Sequence, residues 1–382
     1  MDHLYFDHNA TTPLHSKVIE AMQECMQKDF GNPSSIHMAG RAARNQIENA
    51  RESLAELLKV NPTELVFTSG GTEANNLAIF GAVASGKLKG KHLVVSAFEH
   101  PSVTECFKKL EGEGWEVTYM LPHENGIVSP ESVSEALRDN TAFVSVMAAN
   151  NEVGTIQPIA AIGQLLNERQ ILFHTDAVQA LGKLDKVHPR DWKVDYLSVS
   201  AHKINGPKGV GALYLRKGAP MQGLNLGGPQ ERSFRGGSEN VLGIVGFGKA
   251  VEIQIHEGVN QRKAVQEIRD AFLNRWTQMN PTTKINGATA FLLPNTINLT
   301  FPGCTSDMLV MALDMQGIMV SAGSACASGS VKYSHVLLSM GRSKEEASSS
   351  LRFSFGLGNQ LSQIETLVQK LSEVIEVLRR AL

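Results

Sequence analysis

The 382-residue chain is poor in cysteine, in blocks of like charge and in long apolar runs, and each shortage closes off a class of function. Its four cysteines, Cys25, Cys106, Cys304 and Cys326, never form a Cys-x-x-Cys pair, so neither a disulfide framework nor a zinc site is indicated and no metal is expected. The formal net charge is -2 and neither sign clusters, which argues against nucleic-acid and membrane surfaces and for small polar or zwitterionic substrates. No apolar segment approaches a membrane span, and Met1-Asp2-His3-Leu4-Tyr5 lacks the basic start and apolar core of a signal peptide, so a cytoplasmic protein is expected. The length predicts two domains, or one large α/β domain with an appendage.

What is present is strand and helix in alternation. Apolar runs at Glu64–Ser69, His92–Ser96, Phe143–Met147, Ile171–Phe173, Val194–Val199 and Ala212–Leu215 read as strands, separated by helical patterns such as 39–58 and 159–169. That order predicts a parallel sheet covered on both faces, with reactive groups at the carboxyl ends of its strands. After a loop over 223–240 comes a charge-rich helix, Gln261–Met279, and a domain boundary is expected near Glu257. The smaller C-terminal part reads as strands at 296–301, 318–321 and 351–356, with helices from Ser306 and after two capping boxes, Ser343 with Glu346 and Ser362 with Glu365.

The segment Ser200-Ala201-His202-Lys203-Ile204-Asn205-Gly206-Pro207-Lys208-Gly209 places a lysine where a buried strand gives way to a glycine turn. Most single lysines are exposed ion-pair formers, but a partly desolvated one has a lowered pKa and forms Schiff bases with aldehydes, which suggests a pyridoxal phosphate lysine. Such a cofactor needs an anion cup, an acid for its ring nitrogen and a flat side chain against the ring. Strand, Gly70-Gly71-Thr72 and a helix start offer the cup, though a lone Gly-Gly-Thr is a weak signal. Asp176 follows the strand 171–173 and wants a cationic partner, of which a structural ion pair is the plainer form. His100 ends the strand 92–96, where an imidazole can stack on a ring and carry protons, or be a satisfied core histidine. Arg232 and Arg235 in the loop 227–238 suit anion binding, with a flexible solvated loop as the plainer reading.

The cysteines divide by surroundings. Cys25 and Cys106 fall on apolar helix faces, and Cys304 follows Pro302-Gly303 in a turn at a helix start. Cys326 stands in Ser321-Ala322-Gly323-Ser324-Ala325-Cys326-Ala327-Ser328-Gly329-Ser330, where nothing is large enough to fill a core, so a mobile loop carrying a thiolate is expected. Such a thiolate can attack a bound sulfur and become a persulfide.

Over essentially its whole length the chain resembles the pyridoxal-phosphate cysteine desulfurases, the NifS- and IscS-like members of the class V aminotransferases. The resemblance is carried by Asn9-Ala10-Thr11-Thr12-Pro13, Gly31-Asn32-Pro33-Ser34-Ser35, Thr68 to Asn76, Asn150-Asn151-Glu152-Val153-Gly154, the lysine motif and Gly323-Ser324-Ala325-Cys326. It implies an α/β enzyme of the fold type I pyridoxal-phosphate transferases: a large, mostly parallel-sheet domain over 14–257, and a smaller α+β domain from 1–13 with 258–382 that carries the cysteine loop, about 322–335. It further implies that Lys203 bears the cofactor, His100 stacks on its ring, Asp176 pairs with the ring nitrogen and Gln179 meets the phenolic oxygen. Gly71, Thr72, Ser200 and His202 would hold the phosphate, with Ser238 reaching in from the other subunit of a homodimer. Asn151 and Arg352 would grip the substrate carboxylate, with Asn32 close by, and Cys326 would take the sulfur of L-cysteine. The sulfur would pass to an acceptor protein, an iron-sulfur scaffold or a tRNA-thiolation enzyme. Ser238 replaces the more usual threonine, and Asn205 a frequent aromatic. The rival readings are a class V aminotransferase or selenocysteine lyase on the same scaffold, and a sulfur-relay protein with a vestigial cofactor.

Overall fold

The structure is a computed structural model that describes residues 3–323 and 333–380; Cys326 lies outside the described residues. Its strands in chain order are β1 (Leu4–Tyr5), β2 (Leu65–Thr68), β3 (His92–Ser96), β4 (Glu116–Met120), β5 (Thr141–Ser145), β6 (Leu172–Asp176), β7 (Tyr196–Ser200), β8 (Gly211–Leu215), β9 (Lys284–Asn286), β10 (Thr296–Thr300), β11 (Ile318–Met319) and β12 (Ser350–Ser354). Seven of these form one sheet in the order β2-β8-β7-β6-β5-β3-β4, parallel throughout except where β8 pairs with its two neighbours.

The strands read as unbroken apolar runs because both faces of the sheet are covered, and the two-residue period then divides each strand between two cores. Val94, Val144, Leu197 and Val199 go to one core, while Leu93, Val95, Phe143 and Tyr196 go to the other. The helix Gly71–Ala84 packs on the second with Ala74, Leu77 and Ala78, residues small enough to bring its backbone close to the sheet. Edge strand β4 shows only Met120 buried; its half-exposed pattern gives no clean alternation, and sequence reading passes over it.

A third core holds Phe6, Phe272, Trp276, Leu299, Phe353 and Leu367 between the antiparallel sheet β12-β10-β9 and the helix Gln363–Arg380. The first strand joins this end of the molecule, since β1 pairs in parallel with β11. One helix, Val241–Met279, connects the cores, with Phe247 and Val251 in the first and Phe272 and Trp276 in the third. It starts at Val241 rather than at the expected Gln261, and Glu257 lies inside it. Its opening glycines imitate a loop in sequence, but they serve packing: a Cβ on Gly248 would meet Ala50 Cβ at 2.6 Å, so only glycine lets this helix approach the helix Met38–Leu58.

The expected capping box forms at Ser343 with Glu346, and Ser129 caps the helix that begins at Pro130. At the other box Ser362 Oγ instead faces Gln360 Oε1 at 3.4 Å.

Candidate active site

Strand β7 ends at Ser200, and a single 3-10 turn, Ala201–Lys203, follows it. The turn closes through Asn205 in the left-handed region at φ 64°, which asparagine tolerates far better than a bulky residue would. Asn205 also ties the turn to the N-terminal arm, donating from Nδ2 to Pro13 O at 2.9 Å and from its N–H to Thr12 Oγ1 at 2.8 Å. That arm seats the lysine: Lys203 Nζ donates to Asn9 O and Ala10 O, both at 2.6 Å.

The neighbouring parallel strand, β6, ends in Asp176, 5% exposed. One carboxylate oxygen accepts the Val178 N–H at 2.9 Å and the other accepts Asn75 Nδ2 at 2.8 Å. A buried carboxylate with two donors is fixed in place, and its remaining lone pairs suit a cation. His100 caps the helix Pro101–Gly112, and its Nδ1 accepts the Ser102 N–H at 3.1 Å, so the neutral ring carries its proton on Nε2. Burial lowers its pKa, Asp176 opposes that shift, and Lys203 and His335 reinforce it. Beneath it Glu99 is fully buried, and burial, with Asp176 adding repulsion, raises its carboxyl to about 8 against the hydrogen bonds from Ser96 Oγ and Met147 N–H.

Lys203, Asp176, His100, Gly71, Thr72, Asn151, Gln179, Ser200, His202 and Arg352 line one cavity of about 340 Å³. The structure therefore brings together ten residues named from the sequence. Asn32 and Ser238 are elsewhere: both are exposed and line a separate cavity of about 430 Å³ with Met26 and Phe30. Gly323 and His335, from the two sides of the undescribed stretch 324–332, line the first cavity.

Arg352 projects from β12 almost fully buried, giving Nη1 to Asn151 O at 3.0 Å and Nη2 to Asp7 Oδ1 at 2.6 Å, while its Nε has no partner among the described residues. Two residues that sequence reading missed shape this wall: Asn75, which joins Asp176 to Ser102 Oγ, and Asn9, which receives Lys203. Both lie within motifs quoted above, yet their partners are far along the chain. Arg232 and Arg235 have partners within the chain: Arg232 donates to Leu65 O, and Arg235 pairs with Glu73 at 3.0 Å.

A phosphorylated pyridine aldehyde fits these residues. No side chain caps the helix start at Gly70, leaving its first N–H groups to an anion, and Gly70 takes φ 154°, open only to glycine. A Cβ on Gly71 would meet Val178 Cγ2 at 2.6 Å, so the cup has no room for a larger residue. Ser200 Oγ is buried on the cavity wall without a hydrogen-bond partner among the described residues, a donor waiting for an acceptor. A lysine, a buried carboxylate and an uncapped helix start gathered on the carboxyl side of one sheet are the arrangement of a pyridoxal-phosphate enzyme of fold type I.

The profile of the family "Aminotransferase class-V" matches residues 4–367. The chain is 44% identical to a putative cysteine desulfurase, IscS 1, of Bacillus subtilis strain 168, over 98% of this chain and 99% of that protein. Among solved structures it is similar to a NifS-like protein (TM-score 0.92, 35% identity, 98% and 100% of the two chains) and to SspA in complex with cysteine (TM-score 0.81, 38%, 92% and 99%). The chain belongs to the class-V aminotransferase family, whose members depend on pyridoxal phosphate, and within it to the IscS- and NifS-type cysteine desulfurases.

Proposed function

We propose that the chain converts L-cysteine to L-alanine and passes the sulfur through Cys326. The observation that carries this reading is that the lysine, the acid and the uncapped helix start share a cavity whose wall includes Gly323 and His335, the described residues nearest Cys326 on that wall.

The cofactor would be held by Lys203, by Asp176 at the ring nitrogen, and by the Gly71 and Thr72 N–H groups with Ser200 and His202 at the phosphate. When bound, it supplies a protonated ring that accepts the electron pair left when the substrate Cα loses its proton. Arg352 and Asn151 orient the cysteine carboxylate, and the Lys203 amine removes the Cα proton and later returns one. The Cys326 thiolate attacks the substrate sulfur: an S–S bond forms, the Cβ–S bond breaks, and its electron pair ends as a C–H bond of alanine. One thiol and one cysteine thus become one persulfide and one alanine, with no outside oxidant. Burial raises the thiols of Cys25, Cys106 (to about 12) and Cys304, which disfavours their thiolates and leaves the task to Cys326.

The reading includes a homodimer. Phe30 and Ile36 are 84% and 90% exposed beside the cavity of Asn32 and Ser238, an apolar surface that a second copy would cover while bringing Ser238 to the partner phosphate. It also keeps the division into 14–257 and 1–13 with 258–382, supported by a core that joins Phe6 to residues of the C-terminal part, although Val336, Leu337, Met340 and Ala347 pack into the first core. An iron-sulfur scaffold or tRNA-thiolation enzyme as acceptor, and a cytoplasmic location, complete it; no helix among the described residues is long and apolar enough to cross a membrane.

The test adds L-cysteine and follows alanine and persulfide together by mass spectrometry. The wild type should form both, and Cys326→Ser should keep the cofactor colour but form neither; normal alanine release by that variant would remove the thiol from the mechanism.

A further inference from the structure

Lys203 also lines a second cavity, of about 220 Å³, with Lys183, which does not line the first. The Lys183 amine donates to Asn9 Oδ1 at 2.9 Å and to Gln179 Oε1. Gln179 Nε2 in turn donates to Asn9 O at 3.0 Å, the carbonyl that also receives Lys203 Nζ at 2.6 Å. Asn9 is 1% exposed and further held by Thr296, Asn295 and Ser354, so it cannot turn to new partners. One asparagine therefore links two lysines and the glutamine that faces the cofactor cavity.

We propose that Lys183 is a positioning residue that fixes which end of the Gln179 amide faces the cofactor. The inference rests on the reading that Lys203 carries the cofactor and Gln179 meets its phenolic oxygen. A glutamine amide turns about a broad torsion and can present either its oxygen or its nitrogen. In this arrangement Lys183 acts toward Gln179 as a donor, and as an ammonium it can do nothing else, so it takes the oxygen end and the NH2 end is left for the cavity. That group spends one hydrogen on Asn9 O and keeps a second, the donor that a phenolic oxygen needs. The charged and titratable groups around Lys183 are Lys203, Arg352, His8 and His202. Burial first, then repulsion from Lys203 and Arg352, hold its amine well below the ordinary lysine range. Neutral, the amine would gain a lone pair but would still spend its two hydrogens on Asn9 Oδ1 and Gln179 Oε1, with the lone pair turned away from both oxygens.

The test is a double-mutant cycle on the full-length holoenzyme with Lys183→Met, Gln179→Leu and the pair, reading the pH midpoint of the bound cofactor's absorbance together with kcat and KM. Lys183→Met should shift the midpoint by about one unit and lower kcat about tenfold with KM for cysteine nearly unchanged, and the pair should be no worse than Gln179→Leu alone. Lys183→Arg, whose extra length the second cavity accommodates, keeps the donors and should restore the midpoint; it decides the matter if the methionine variant does not fold. Additive losses in the cycle, an unmoved midpoint in a folded Lys183→Met, or a Lys183→Arg as impaired as the methionine variant would overturn the proposal. Borohydride reduction of the wild type separates these failures from failure of the underlying reading, which would leave Lys203 without cofactor mass.

Discussion

Asn75 Nδ2 gives one hydrogen to Asp176 Oδ2 at 2.8 Å and the other to Ser102 Oγ at 2.9 Å, so one buried amide locks the Asp176 carboxylate to the hydroxyl beside His100. Asn75→Leu removes both bonds at similar volume and strands a buried carboxylate oxygen. A loss of about 2 kcal/mol of stability is expected from urea unfolding, with kcat down about tenfold. Unchanged unfolding would mean that Asp176 finds its donor elsewhere.

The phosphate cup makes a steric prediction. A valine at position 71 puts branched carbons where even a Cβ meets Val178 Cγ2 at 2.6 Å, and it crowds the N–H groups of the helix start. Gly71→Val should weaken cofactor retention by about a hundredfold on dialysis, while the far core and its unfolding stay near wild type.

Arg352 is held by Asn151 O and Asp7 Oδ1, which leaves its planar face set before substrate arrives. Arg352→Lys keeps the charge but loses the fork, so KM for cysteine should rise about tenfold or more with a smaller change in kcat. A pure kcat effect in steady-state assays would argue for a role in chemistry instead of grip.

Glu99 predicts a pH dependence of stability. Its folded pKa of about 8 lies above the ordinary 4.5, so the folded state keeps a proton that the unfolded chain has lost. Its stabilising contribution is full below about pH 4.5 and disappears as pH rises through about 8. His174 acts in the opposite sense, because burial lowers it from 6.5 to about 3 and stability from it is lost as pH falls below 6.5. Comparing Glu99→Gln with the wild type cancels the histidine: melting curves should show the wild type losing ground to the variant between pH 5 and 9. A difference that stays flat across that window contradicts the buried neutral acid.

How much of this was legible in the sequence depends on how far apart the partners lie. Lys203 and Asp176 stand out because each ends or closely follows a buried strand, and His100 because it stands past a strand end rather than on an apolar helix face. Asn75, Asn9 and Lys183 do not, since each acquires its role from a residue more than a hundred positions away. The start of the helix Val241–Met279 was hidden by glycines that exist for helix contact, and β4 by an edge position that asks for no alternation. Asn32 belongs to a quoted motif but not to this chain's own cavity, a separation that only coordinates reveal, whereas Ser238 was already expected to serve a second subunit.

The most direct test of the central claim is peptide mapping after borohydride reduction of the full-length protein. Two lysines contact Asn9, and the account predicts that the pyridoxyl mass falls on the peptide containing Lys203. The same mass on the Lys183 peptide, or on neither, would contradict it.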